Sequence, residues 1–198
     1  MTEEICEAVF KLTGEKFLRV NCFNLNIGMK IFSLFLILFC VATFSFSQET
    51  IKPTDEIKIF GLVEKQVTIK FSDIAKENTV ALENFKVTNH LGEFRKEIKN
   101  IKGVPLLPIL QRVNITSPSP KVLSEYYLVF RCSDGYSVVY SWNEIFNTEI
   151  GKSIFVITEA DNKKLAESSD RILVISIMDF KTGRRHLKGL ESIEVKRI

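Results

Sequence analysis

RCSDGYSVVYSWNEIFNTEIG, residues 131–151, holds a strand-like apolar run that halts at Asp134-Gly135-Tyr136, restarts, and breaks again at Ser141. Asp-Gly between alternating aromatic and β-branched residues predicts a hairpin, because that dipeptide tolerates the positive φ of tight primed turns. The hairpin joins Tyr126–Ser133 to Tyr136–Ser141. Ser141 followed three residues later by Glu144 is a capping box, so a helix is predicted over Trp142–Phe146.

The same punctuation organises the rest. Ile57, Ile59, Leu62, Val67 and Ile69 alternate with Lys58, Lys65 and Lys70, which predicts two short strands with Gly61 at a bulge. Phe71-Ser72-Asp73-Ile74 reads as one helical turn with Ser72 as N-cap. A strand is predicted over Thr79–Asn89, a turn at Leu91-Gly92-Glu93, and a helix over Leu106–Val113 entered through Pro105. Thr116–Pro120 is a loop by composition. Ile154–Thr158 and Ile172–Ile177 are apolar enough for central strands, with a turn at Asp161-Asn162, and the chain ends in strands over His186–Lys196. Strand-rich order with short helices implies an α+β domain of several small sheets.

Composition sets the class. The 198 residues are 45% hydrophobic and 26% charged with net charge +3, an ordinary globular balance with no basic excess that would imply a nucleic-acid partner. From Met29 the chain reads as a general secretory signal peptide, residues 29–47: Lys30, the apolar run Ile31–Phe44, and the small-x-small site Ser45-Phe46-Ser47. That run is short of the roughly 20 residues a bilayer span needs, so no stable membrane insertion is expected after cleavage, an uncleaved anchor being the other reading. Residues 1–28 stand upstream of a signal that belongs at an N-terminus, so translation is expected to start at Met29. The exported chain is then periplasmic or secreted. It has a polar leader at 48–56 and a single domain at 57–198, large enough for a real core. One cysteine, Cys132, remains in it, placed in an apolar strand as a buried small hydrophobe, so no internal disulfide is expected.

Four pieces, in order, carry a family resemblance: the opening strand with Phe71-Ser72-Asp73-Ile74, Gly103-Val104-Pro105-Leu106 entering a helix, the Asp134-Gly135-Tyr136 hairpin, and Gly183-Arg184-Arg185-His186-Leu187-Lys188 before a last strand. Together they resemble the molybdopterin-binding domain of the sulfite-oxidase-like oxidoreductases, across nearly all of 57–198. The resemblance implies that family's α+β fold of small mixed sheets and short helices. It also implies that Arg184, Arg185 and Lys188 contact the pterin and its phosphate, a role suited to the planar donor fork of arginine. His90 lies where the chain approaches the expected metal site, or is simply a turn histidine before Leu91-Gly92. A solvated basic strand end is the plainer reading of the arginine run.

One element of the family is missing. Its metal is held by a cysteine thiolate in the segment before the Gly-Val turn, and here that segment is Phe85-Lys86-Val87-Thr88-Asn89-His90-Leu91-Gly92. Thr88 and Asn89 are hard, poor replacements, and Cys132 belongs to a different hairpin. The n-region also lacks the twin arginines of the folded-protein export route, so a secreted chain would arrive without its cofactor. There is no Cys/His cluster for zinc and no phosphate-binding glycine loop. The expectation is therefore a non-catalytic exported domain with no cofactor. It would bind an anionic small molecule or a periplasmic protein partner in the former cofactor cleft. A molybdopterin-dependent oxidoreductase with unusual metal ligation and a purely structural surface protein are the alternatives.

Overall fold

A computed structural model describes residues 50–198. The readings of 1–28 and of the signal peptide at 29–47 lie outside the described residues. The strands are β1 Glu56–Gly61, β2 Val67–Lys70, β3 Val80–Leu82, β4 Phe85–Thr88, β5 Phe94–Ile98, β6 Ile101–Pro105, β7 Tyr126–Cys132, β8 Ser137–Ser141, β9 Ile154–Ala160, β10 Lys163–Lys164, β11 Val174–Ser176 and β12 Leu190–Arg197. They form three sheets. The first is mixed, in the order β2-β1-β12-β7-β8, with β1 and β12 parallel and every other pair antiparallel. The second is antiparallel, β10-β9-β6-β3, with β11 also on β9. The third is the β4–β5 hairpin. The α+β architecture of small sheets is thus observed.

Period-two alternation explains which faces are buried. Ile57 and Ile59 on β1, Leu128 and Phe130 on β7, and Ile193 and Val195 on β12 are all at or below 1% exposure and meet in one core. Phe130 stacks on Tyr140 of β8 with ring centroids 5.0 Å apart, which ties the hairpin's two strands together on the core side. β9 buries residues on both faces, as a strand flanked by neighbours should. The leader is strapped down: Thr54 Oγ1 donates to the Leu190 carbonyl at 2.8 Å and accepts from Ile172 N–H at 3.1 Å.

Local readings are corrected at five places. Ser72 does not cap its helix: β2 runs straight into Phe71–Ile74, so extended Lys70 occupies the N-cap position without a side-chain bond. Gly61 makes no bulge; it ends β1 at φ +96°, and a Cβ there would sit 2.3 Å from the Val195 carbonyl oxygen. The strand expected over Thr79–Asn89 is two strands, β3 and β4, assigned to different sheets. The helix after Pro105 stops at Leu110. The Asp134-Gly135 turn is not a primed turn, since Gly135 alone takes positive φ, and Gly135 N–H donates to the Cys132 carbonyl at 3.0 Å. That is a three-residue loop closed by a glycine bulge. The primed geometry occurs instead at Asp161-Asn162, φ 50° and 63°, joining β9 to β10.

Candidate functional site

The Ser141 capping box forms as its spacing predicts: Ser141 Oγ accepts from Glu144 N–H at 3.1 Å, and Glu144 Oε2 accepts from Ser141 N–H at 2.8 Å. Only one carboxylate oxygen is used in this way. Oε1 of Glu144 faces Arg185 Nη1 at 3.4 Å, and Arg185 Nε donates to Asp179 Oδ2 at 2.8 Å. The guanidinium carbon lies 4.6 Å from the centre of the Tyr140 ring. Ser176 Oγ in turn donates to Asp179 Oδ1 at 3.2 Å. Arg185 is therefore a pin joining the hairpin, its helix and the loop after β11, with its charge matched by two carboxylates.

The tight turn Thr182–Arg185 sends successive side chains in different directions. Arg184 is exposed, and its Nη2 donates to the backbone carbonyl of His90 at 3.1 Å. The Arg184 carbonyl accepts from the Tyr136 hydroxyl at 2.6 Å. No carboxylate of the described residues lies within ion-pair distance of Arg184. Lys188 pairs with Asp170 at 2.8 Å. Of the four residues singled out in the sequence, the structure thus brings Arg184 and His90 together, through the backbone of His90. It separates Arg185 and Lys188 into ion pairs of their own. Glu144, Asp179 and Tyr136 complete the constellation. Glu144 carried a sequence signal in its capping box and Tyr136 in the Asp134-Gly135-Tyr136 hairpin; Asp179 carried none.

Two glycine-enabled contacts dock this turn on the β4–β5 hairpin. Thr182 Oγ1 donates to the Lys86 carbonyl at 2.7 Å and accepts from Thr88 N–H at 2.9 Å, satisfying part of the edge of β4. A Cβ on Gly183 would lie 1.9 Å from the Thr88 carbonyl oxygen, so only glycine fits there. At the tip, Asn89 Oδ1 accepts from Leu91 and Glu93 N–H, and its amide donates to Glu93 Oε2 at 2.7 Å.

These contacts test whether a molybdenum centre fits. Asn89 is committed to its own turn. Among the described residues no three His, Cys, Asp or Glu side chains gather as metal ligands. Cys132 is buried in β7, and burial followed by the Asp134 carboxylate pushes its thiol up to about 12, far from the thiolate a soft metal requires. The side chains present do not fit the metal. Arg184 does fit an anion such as a phosphate.

Beside the arginine run lies an open groove of about 670 Å³, lined by Lys96, Lys163, Lys164, Ser168, Asp170 and His186 among others. Nε2 of His186 is buried there without a hydrogen-bond partner, and the ring tilts against Phe85 with centroids 6.2 Å apart. Burial first, then Lys188 and Lys96, holds its pKa down to about 4. The folded value lies below the unfolded one, so the unfolded chain takes up a proton first as pH falls. The stability gained by keeping His186 neutral is complete above about pH 6.5 and is lost on the way to about pH 4. Urea unfolding at about pH 7 and about pH 4.5 should show the wild type losing about 2 kcal/mol more than His186→Gln. Equal losses would mean that the ring is protonated in the folded state.

No protein-family model matches the chain, and no curated protein matches it. Among solved structures, the crystal structure of the sulfane dehydrogenase SoxCD from Paracoccus pantotrophus is similar, with TM-score 0.51 at 12% identity. The match covers 72% of this chain and 39% of that one, so the chain spans well under half the length of its structural neighbour. A likeness at that identity shows a shared fold, the sulfite-oxidase-like molybdopterin fold.

Proposed function

We propose that this chain is an exported, non-catalytic binding domain on the sulfite-oxidase-like scaffold, holding an anionic small molecule or an acidic surface of a protein partner at Arg184. The donor set carries the reading. The single cysteine of the described residues is buried with its thiol raised to about 12, whereas Arg184 is exposed, anchored through one nitrogen, and matched by no carboxylate of the described residues. An arginine oriented by a backbone carbonyl keeps the rest of its fork for a ligand and loses little side-chain freedom on binding. The sequence-level expectation of Arg185 and Lys188 as ligand contacts carries less weight, because an anion would first have to displace Asp179, Glu144 or Asp170.

The second reading, a molybdopterin-dependent oxidoreductase or a subunit of one, is favoured by the shared fold alone. Metal and pterin content of the protein purified from its native host separates the two. Neither molybdenum nor an oxidisable fluorescent pterin is expected. Stoichiometric amounts of both would overturn the binding-domain reading and demand another metal ligand.

A further inference from the structure

The tip formed by the β4–β5 hairpin and the loop after β11 is built in an unusual way. Phe180 is 100% exposed, Met178 57% and Leu91 61%. The hairpin and loop meet there, because a Cβ at Gly92 would lie 3.7 Å from the Lys181 side chain and Arg184 is bonded to His90. The base beneath is fixed by Thr182, Gly183 and the inward pair of Asp179 with Arg185. Large apolar side chains thus project from two adjoining turns whose backbones are held, and no element of the described chain covers them. Exposed apolar groups displayed on a fixed base call for an occupant.

We infer that this tip docks on an anionic lipid surface, with Phe180, Met178 and Leu91 entering the headgroup–acyl boundary and Lys181 and Arg184 contacting lipid phosphates. Charge complementarity selects the bilayer. The tip displays Lys181 and Arg184, while Asp179 is turned to Arg185, Asp134 accepts from the Tyr136 N–H, and the exposed Glu93 is held by Asn89 and balanced by Arg95 on β5. The outward field is positive around an apolar point, the pairing of forces that holds proteins on membrane surfaces. A fully exposed phenylalanine on a projecting turn has no surrounding rim to match a protein partner, whereas a fluid interface needs no shape complement. The domain would lie on the membrane, not in it; no helix of the described residues is long and apolar enough to cross one. The inference holds whether or not the domain is catalytic.

The test reads the tip itself, so binding by any other segment of the full chain does not mimic it. Phe180→Trp on a Trp142→Phe background places the sole indole at the apex. Its emission should shift to the blue on vesicles of phosphatidylglycerol and phosphatidylcholine in equal amounts. Lipids brominated in the acyl chain should quench it, and neither effect should occur on phosphatidylcholine alone. Adding Lys181→Glu and Arg184→Glu should weaken the partition by about tenfold or more. Thermal melting, unchanged among these surface variants, excludes misfolding as the cause. Absence of shift and quenching on the anionic vesicles overturns the inference. So does a shift produced only by a soluble protein fraction of the host envelope, which would make the tip a protein-docking surface.

Discussion

Gly183→Ala should be among the most damaging single-methyl changes in the described residues, alongside Gly151→Ala, with a loss of about 3 kcal/mol and a fall in melting temperature of roughly 10 °C for a domain of this size. The φ of Gly183 is not in the left-handed region, so space is the sole cause. The added Cβ would stand 1.9 Å from the Thr88 carbonyl oxygen, where contact distances exceed 3 Å, and a backbone atom cannot swing aside as a side-chain end can. Relief requires the Thr182–Arg185 turn to lift from β4. Lifting breaks both bonds of the buried Thr182 hydroxyl and the Arg184–His90 contact, and it strands polar groups that were paired. Differential scanning calorimetry measures the effect. Amide exchange should show protection lost at Thr88 in particular. A melting temperature within a degree or two of wild type would mean that the turn and hairpin are not in contact in solution. The same variant should lose the lipid response of the tip, since its two turns would no longer share a base.

That seam also marks the limit of what the sequence made legible. Signals that act within a few residues were read well. The alternation in β1, β7 and β12, the hairpin position at Asp134-Gly135 and the Ser141–Glu144 box depend on neighbours in the chain, and each forms. Where a neighbour in space decides, the reading failed. Ser72 has the right side chain for a cap, but β2 pairs with β1 up to Lys70 and carries extended backbone directly into the helix. Asp134-Gly135 has the composition of a primed turn, yet only one positive φ is needed for the loop that forms. Among site residues, the basic character of the Gly-Arg-Arg run was plain in the sequence. Nothing near it in sequence showed that Glu144, 41 residues away, would engage one arginine and leave its neighbour for solvent. Chain order placed the motif; partners hundreds of atoms apart along the chain assigned the roles.

The division between the two arginines gives the second large effect. Arg185→Ala should cost about 3 kcal/mol, because breaking one side of a largely desolvated ion pair leaves its carboxylates uncompensated. Arg185 retains 23% of its side-chain exposure, Asp179 11% and Glu144 35%, so the loss falls toward the lower end of the range for buried pairs. Removal also uncovers the Tyr140 ring, whose hydroxyl is already buried without a partner, and whose pKa burial pushes upward. Lysine should rescue poorly: its ammonium cannot bridge Asp179 and Glu144 while lying flat on the ring. The signature that separates a pin from a ligand contact is a double-mutant cycle in urea unfolding. Arg185→Ala and Asp179→Asn should be strongly non-additive, since either change alone breaks the same pair. Arg184→Ala, whose side chain is exposed, should change stability by under about 1 kcal/mol. If instead both arginines proved dispensable to folding and Arg185→Ala alone abolished anion binding, the roles assigned to the two would have to be exchanged. The ion pairs with Asp179 and Glu144 would then be contacts that a ligand displaces.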